Sequence, residues 1–363
     1  VSRTAPTEGD LADVVGERVR ARIDRAVQRN IKGLEYFASS APPVGVTPRD
    51  EIYTRGTMHV FHYHPRTDEI YRVPVLAIVP PTNRGYILDL APKQSFIEFM
   101  LDRGFDVFML EFSPPTKADK RLRVDDYILD FIPEAIARVQ EDSGESDISL
   151  IGYCAAGMMS ACYAALNQDG PLKNLICFTT PIDFQEMKLF ATLSDKRFMD
   201  VDRLVDSVGN VPAEFIIEMF ALLRPASRIA DNLRLLDNLW NDEYVKSYRR
   251  FERWSNETMP LPGEYVRQWT KDFFWENKLV KNEFDVGGRR VLLSNVRVPL
   301  LHVVAEHDHI VTRGASKPLI EMVGSEEKEE VVLKGGHVSI AAGPNASRRM
   351  WPKVDAWLSE RSV

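Results

Sequence analysis

A cysteine, an aspartate and a histidine, in that chain order, are the residues whose types and spacing point most directly to covalent chemistry. Cys154 lies in the run Ile148-Ser-Leu-Ile-Gly-Tyr-Cys-Ala-Ala-Gly-Met-Met-Ser160. The apolar stretch from Ile148 to Ile151 predicts a buried strand, Gly152 a sharp turn, and the small residues from about Ala155 a helix. A strand–turn–helix with a reactive residue at its turn is a nucleophile elbow, here with Cys where Ser is usual. Such a turn strains the backbone of its central residue and needs small neighbours where strand and helix pass close. A helix N-terminus favours a thiolate and offers backbone N–H groups to an oxyanion. Taken alone, Cys154 reads equally well as a buried structural thiol, since free Cys is among the most buried residue types.

The rest of the chain tips that balance, because a catalytic Cys needs a base and the base an orienting carboxylate. Elbow enzymes of the α/β-hydrolase type carry nucleophile, acid and histidine in that order. Val298-Pro-Leu-Leu-His-Val-Val-Ala-Glu-His-Asp-His-Ile-Val311 predicts a strand ending in a polar loop with Asp308. Glu330-Val-Val-Leu-Lys-Gly-Gly-His337 predicts another strand and a glycine turn with His337. Each candidate stands just past the C-terminal end of a strand, where open α/β sheets place their sites.

The elements that must position these groups follow from the pattern upstream and downstream. Strands are expected at Met58–Tyr63, Val75–Val79, Asp106–Glu111 and Leu175–Thr179, with helices at Gln94–Arg103 and from an Asp125 cap to about Gln140. This alternation predicts an α/β fold of the α/β-hydrolase kind, a mostly parallel sheet covered by helices. Residues 1–40 read as a helical N-terminal arm with an apolar stripe at Leu11, Val15, Val19, Ile23 and Val27. The core comprises residues 41–183 and 287–363. Between them, residues 184–286 break the rhythm with a helical, aromatic-rich cap insertion. Most of its aromatics, Tyr265 and Trp269 among them, are expected in the cap's own core, and together they suit a greasy acyl chain.

Composition sets outer limits. The 363 residues are 44% hydrophobic and 27% charged, ordinary for a globular enzyme. A net charge of −7 without a long basic run argues against nucleic-acid binding. No apolar run approaches the ~20 residues of a membrane span. The N-terminus lacks the apolar segment of a signal peptide. The three cysteines, Cys154, Cys162 and Cys177, read as reduced thiols in a cytoplasmic setting, the last two as core residues. His59, His62 and His64 have no partner cluster with ligand spacing, so a solvated strand face is expected and no metal.

Beyond these signals the chain resembles the polyhydroxyalkanoate synthases, specifically the short catalytic subunit of the two-component (class III, PhaC-like) type. The resemblance runs from about Tyr53 and rests on Asn83-Arg84, Asp125-Asp126-Tyr127-Ile128, Gly152-Tyr-Cys154, Thr180-Pro-Ile-Asp-Phe184, Gly209-Asn-Val-Pro212, Glu252-Arg-Trp254, Lys271-Asp-Phe273, Gly287-Gly-Arg289, Asp308-His-Ile-Val311 and Gly335-Gly-His337. It implies polymerisation of (R)-3-hydroxyacyl-CoA, with short chains such as 3-hydroxybutyryl-CoA expected, and release of CoA. No cofactor is needed beyond the CoA thioester substrate. In that reading Cys154 carries the acyl chain as a thioester and His337 deprotonates it. Asp308 orients His337 or helps activate the incoming 3-hydroxyl, and His309 is an auxiliary candidate, equally readable as a turn histidine. The backbone N–H of Ala155 is one oxyanion donor. The other is expected from the loop after Val79, where Pro80 and Pro81 cannot donate, leaving Thr82 first and Asn83 second.

The same resemblance implies a second, non-catalytic synthase subunit (PhaE-like), location in the cytoplasm at polyester granules, and contact with the granule surface; a homodimer is a further assembly it allows. Two residues depart from the family pattern. Ala156 stands where Gly-x-Cys-x-Gly ends, an extra methyl costing roughly 1 kcal/mol if it meets the crossing strand. Phe112 replaces a usual Trp. Two other functions fit the same residues: a Cys-triad hydrolase, whether acyl-CoA thioesterase or polyester depolymerase, and a non-catalytic granule scaffold. The intact Cys154, Asp308 and His337 speak against the scaffold.

Overall fold

The computed structural model describes residues 42–223, 227–343 and 346–363, with a few isolated positions before them. The chain divides into two compact units, Val1–Pro43 with Arg224–Arg253, and Val44–Leu223 with Trp254–Val363. In the first, helices Ser227–Asn238 and the start of Asp242–Asn256 leave Leu233, Leu236 and Trp240 exposed. Of the N-terminal stripe, Val27 is helical and half exposed; Leu11, Val15, Val19 and Ile23 lie outside the described residues.

The second unit holds the sheet. Its strands are β1 (Arg49–Arg55), β2 (Met58–Tyr63), β3 (Val75–Ile78), β4 (Val107–Phe112), β5 (Ile148–Tyr153) and β6 (Leu172–Phe178). A two-stranded ribbon, β7 (Asp285–Val286) and β8 (Arg289–Arg290), precedes β9 (Leu300–Ala305) and β10 (Lys328–Leu333). Among the described residues the main sheet runs β1-β2-β4-β3-β5-β6-β9-β10. β2 pairs antiparallel with both β1 and β4, and every pairing from β4 onward is parallel. β3, β5 and β9 are buried at every residue, as strands covered by helices on both faces must be. From β3 the chain moves outward to β4 and then returns to β5 on the other side. That reversal is a topological switch point, and the crevice beyond the strand ends is where such sheets carry their sites.

β1 is absent from the pattern reading. Its sequence Arg-Asp-Glu-Ile-Tyr-Thr-Arg is too charged to signal a strand, and that charge suits an edge that must not pair with another chain. Asp125 does not cap the following helix. Asp126 does, accepting from the Arg123 N–H at 2.6 Å. Asp125 instead receives the Gln268 amide at 2.6 Å and the Gly287 N–H, tying three distant segments together. The helix then widens into a π-turn at Tyr127–Phe131 before Ile132–Ser143. Pro133 has no N–H to give the Leu129 carbonyl, and the chain absorbs this by lengthening the preceding turn.

Residues 184–286 are mainly helical in their described part, with a β-bridge between Val211 and Leu261 and the short strand β7 at their end. Of this insertion, the segments 184–223 and 254–286 belong to the same compact unit as the sheet. Phe184 explains why: it stacks on Phe273 and meets Trp269 and Phe274 edge-on, all with centroids near 5 Å. Not all the insertion's aromatics are core, since Phe198 and Trp240 are exposed. No described helix is long and apolar enough to cross a membrane.

Candidate active site

β5 ends at Tyr153 and the helix Ala155–Leu166 starts two residues later, so a single residue makes the turn. That residue, Cys154, has φ 55° and ψ −122°. A non-glycine in this region costs of order 1–3 kcal/mol, met by the packing around it. Cys154 N–H donates to the Phe178 carbonyl on β6 at 2.8 Å, pinning the turn to the neighbouring strand. The small residues of the helix have a physical reason: it is buried from Ala155 to Ala165. A Cβ on Gly152 would sit 2.5 Å from the Gly157 Cα. The tight crossing therefore falls on Gly157, not on the Ala156 position where an extra methyl was expected to intrude. Ala156 is buried and meets that crossing through its backbone carbonyl, 2.9 Å from the same Cβ position on Gly152. Phe112 packs edge-on against Tyr127 at 4.9 Å and fills the core at the end of β4.

The loops after β9 and β10 bring Asp308 and His337 to the elbow. His337 Nδ1 and Asp308 Oδ2 are 2.6 Å apart, and the Asp308 side chain has no exposed surface. Asp308 Oδ1 accepts two backbone bonds, from Ile310 at 2.8 Å and Val311 at 2.9 Å. The carboxylate is thus locked by its own loop, with its second oxygen left for the imidazole. The Cys154 side chain lies close enough to the imidazole to act on it by charge and hydrogen bonding. Burial acts most strongly on His337 and would lower its pKa; the charges of Asp308 and Cys154 and their hydrogen bonds outweigh it, pushing the imidazole up to about 10. The three sequence-predicted groups are therefore one continuous chain of contacts.

Two residues join them that the pattern reading passed over. Tyr153 stacks on the His337 ring at 5.4 Å and donates its hydroxyl to the His337 carbonyl at 3.2 Å. Tyr265 is buried, and after burial and Tyr127 the nearby Cys154 raises its hydroxyl pKa. Tyr153 has a signal in the sequence, its place next to Cys154; Tyr265 has none.

Ala155 opens the elbow helix, so its N–H has no acceptor within that helix. In the loop after β3, the Asn83 N–H turns back to the Pro80 carbonyl at 3.5 Å and its side chain bonds Thr258. The Thr82 N–H has no acceptor among the described residues. His309 is exposed beside Asp308. The strand histidines are each matched to carboxylates: His59 to Glu51, His62 to Asp106 and Asp142, His64 to Asp50. Among the described residues no cluster of three ligands has metal geometry. His302 is fully buried on β9; Ser316 gives its proton to the Thr180 carbonyl at 2.9 Å, so His302 Nε2 must donate to Ser316 at 3.0 Å.

Comparison with known proteins agrees with this geometry. The alpha/beta hydrolase fold family matches residues 88–344, and the poly-beta-hydroxybutyrate polymerase (PhaC) N-terminus matches residues 40–100. The poly(3-hydroxyalkanoate) polymerase subunit PhaC of Allochromatium vinosum is 31% identical over 336 residues, covering 91% of this chain and 94% of that protein. That of Thiocystis violacea is 30% identical over 334 residues with the same coverage. That of Haloferax mediterranei is 33% identical over 321 residues, 88% of this chain but only 65% of that longer protein. Among solved structures, DcsB in complex with its substrate analogue superposes with a TM-score of 0.53 at 16% identity, over 86% of this chain and 99% of that one, a likeness of fold alone. The chain belongs to the PhaC family of poly(3-hydroxyalkanoate) polymerase subunits, acyltransferases built on the alpha/beta hydrolase fold.

Proposed function

We propose that this chain polymerises (R)-3-hydroxyacyl-CoA through a thioester on Cys154. The observation that carries the reading is the unbroken Cys154–His337–Asp308 chain on a strained elbow. His337 takes the thiol proton, and the thiolate sulfur attacks the thioester carbonyl. The oxyanion is held by the N–H groups of Ala155 and Thr82. Collapse expels CoA as a thiolate, which takes the proton from His337. His337 then removes a proton from the 3-hydroxyl of the next acyl-CoA, whose oxygen attacks the Cys154 thioester and expels the Cys154 thiolate. That thiolate attacks the lengthened chain's own CoA thioester, reloading the chain on Cys154 and releasing CoA, which takes the proton from His337. A sulfur ester suits this second step, because it acylates an alcohol more readily than an oxygen ester does.

Asp308 acts here by orienting His337 and by stabilising its charged form, because its wholly buried carboxylate cannot meet an incoming hydroxyl. The parts of the insertion in the sheet's own unit, 184–223 and 254–286, serve as a lid that keeps water from the thioester. Hydrogen exchange across residues 184–286, with and without a non-hydrolysable substrate analogue, tests this: slowing on binding is expected, and uniformly slow exchange in both states contradicts it. A second, PhaE-like subunit and the granule surface complete the proposed assembly. Adding the co-purifying partner should shorten the lag before polymerisation; full rate without lag from the isolated chain would rule it out.

A further inference from the structure

Four hydrogen bonds join the loop after β3 to the stretch that follows helix Asp242–Asn256 or closes it. Thr82 O accepts from the Met259 N–H at 2.8 Å. Asn83 Nδ2 donates to Thr258 Oγ1 at 3.0 Å, the Trp254 indole donates to Arg84 O at 2.9 Å, and the Tyr86 hydroxyl donates to Glu257 Oε2 at 2.9 Å. The loop needs such support. Its two leading prolines donate nothing to a neighbour, and residues 80–84 include no helix or strand. On its sheet side it is held by Glu111 Oε2, which accepts from the Gly85 N–H at 3.0 Å.

From this we infer that residues 254–259 are a clamp that sets the oxyanion donor, with Asn83 and Thr258 as positioning residues. The inference rests on the proposed role of the Thr82 N–H. The Met259 bond fixes the carbonyl of Thr82, and the Asn83 bond fixes the next side chain. Together they hold the Thr82–Asn83 peptide, and the Asn83 N–H of that peptide closes on the Pro80 carbonyl at 3.5 Å, a turn whose central peptide, Pro81–Thr82, carries the Thr82 N–H. Thr258 is itself held, donating to the Ser255 carbonyl at 2.8 Å, so its oxygen is presented to Asn83 at a fixed place. The clamp begins at Trp254, where the chain re-enters the unit that holds the sheet. The insertion is thereby tied to the groups that stabilise the reaction's negative charge.

Thr258→Val removes the acceptor while keeping shape, Thr258→Ser keeps it, and Asn83→Ala cuts the same bond from the other side should Thr258→Val fail to fold. Two readouts are taken on each chain: hydrogen exchange of residues 80–88, and CoA released from (R)-3-hydroxybutyryl-CoA in the first turnover. Thr258→Val and Asn83→Ala should speed exchange in the loop and slow the first turnover roughly 10- to 100-fold, as sub-ångström misplacement does. Cys154 alkylation by iodoacetamide should stay at the parent rate, and Thr258→Ser should restore both readouts. Unchanged loop exchange in both disruptive variants overturns the clamp. Faster exchange with an unchanged first turnover overturns its link to the oxyanion. CoA release that survives Cys154→Ala is a different failure, that of the proposed function, and leaves the exchange result to judge the clamp.

Discussion

Replacing Asp308 with Asn removes one charge and one acceptor at a place where three donors converge. His337 Nδ1 meets Oδ2 at 2.6 Å, and the Ile310 and Val311 N–H groups meet Oδ1 at 2.8 and 2.9 Å. A carboxylate accepts all three, whereas an amide has one oxygen and one NH2. If the oxygen stays with the two backbone donors, the NH2 faces the imidazole. His337 must then accept at Nδ1 and carry its proton on Nε2, toward Cys154, where it cannot act as a base. The reverse placement sets the NH2 against two backbone donors in a site without exposed side-chain surface, at about 1–3 kcal/mol for each unmade bond. The first arrangement wins. Its cost is bounded below by a single lost charged hydrogen bond, roughly tenfold to 100-fold in rate. It is bounded above by the roughly 10⁴-fold of the same change in a serine triad. Rapid-quench measurement of first-turnover CoA release and of steady-state elongation should show the same factor in both phases, because a buried carboxylate acts only through His337. Loss confined to elongation would refute this reasoning and place Asp308 on the incoming hydroxyl. Loss below about threefold in both phases would refute the orienting role itself.

Alkylation of the folded chain at neutral pH should fall on Cys154 alone. Cys162 and Cys177 are fully buried, and burial pushes both thiols well up, Cys177 to about 12; mass mapping that finds either labelled before unfolding contradicts this. Gly157→Ala should destabilise the fold by about 1–3 kcal/mol, since its Cβ would run into Thr180 Oγ1 and lie 2.9 Å from the Gly152 carbonyl oxygen. Ala156→Gly should alter activity far less, and thermal melts with activity assays on both variants compare the two. Burial lowers His302 from 6.5 to about 3, so the unfolded chain binds the proton more readily and stability falls as pH drops from about 6.5 toward 3. His302→Gln should flatten that acid limb in denaturant titrations; an unchanged slope would exclude His302 as its source.

The elbow was the most legible part of the chain, because strand, turn and helix each leave a strong local mark. β2 and the start of the helix at Ala155 fall where the pattern puts them. That Asp308 and His337 would meet was legible through their position just after the strands β9 and β10. What the pattern hid depends on neighbours distant in sequence. β1 pairs through its backbone while its side chains stay charged. Asp125 bonds residues 143 and 162 positions away rather than its own helix. Tyr265 reaches the elbow only because residues 254–286 pack with the sheet's unit, which periodicity within the insertion does not report. The departure at Ala156 illustrates the same limit. The motif's spacing assigns the crossing to the fifth position, but the helix's actual path assigns it to Gly157.

The central claim is that Cys154 carries a growing polyester rather than an acyl group awaiting water. Incubating the chain with (R)-3-hydroxybutyryl-CoA and recovering every acyl unit decides it. Free CoA, insoluble polymer, and oligomers of 3-hydroxybutyrate bound to the peptide that contains Cys154 are expected, all lost in Cys154→Ala. Free CoA with stoichiometric soluble 3-hydroxybutyrate, and no more than a single acyl unit on Cys154, would contradict it and make the chain a hydrolase.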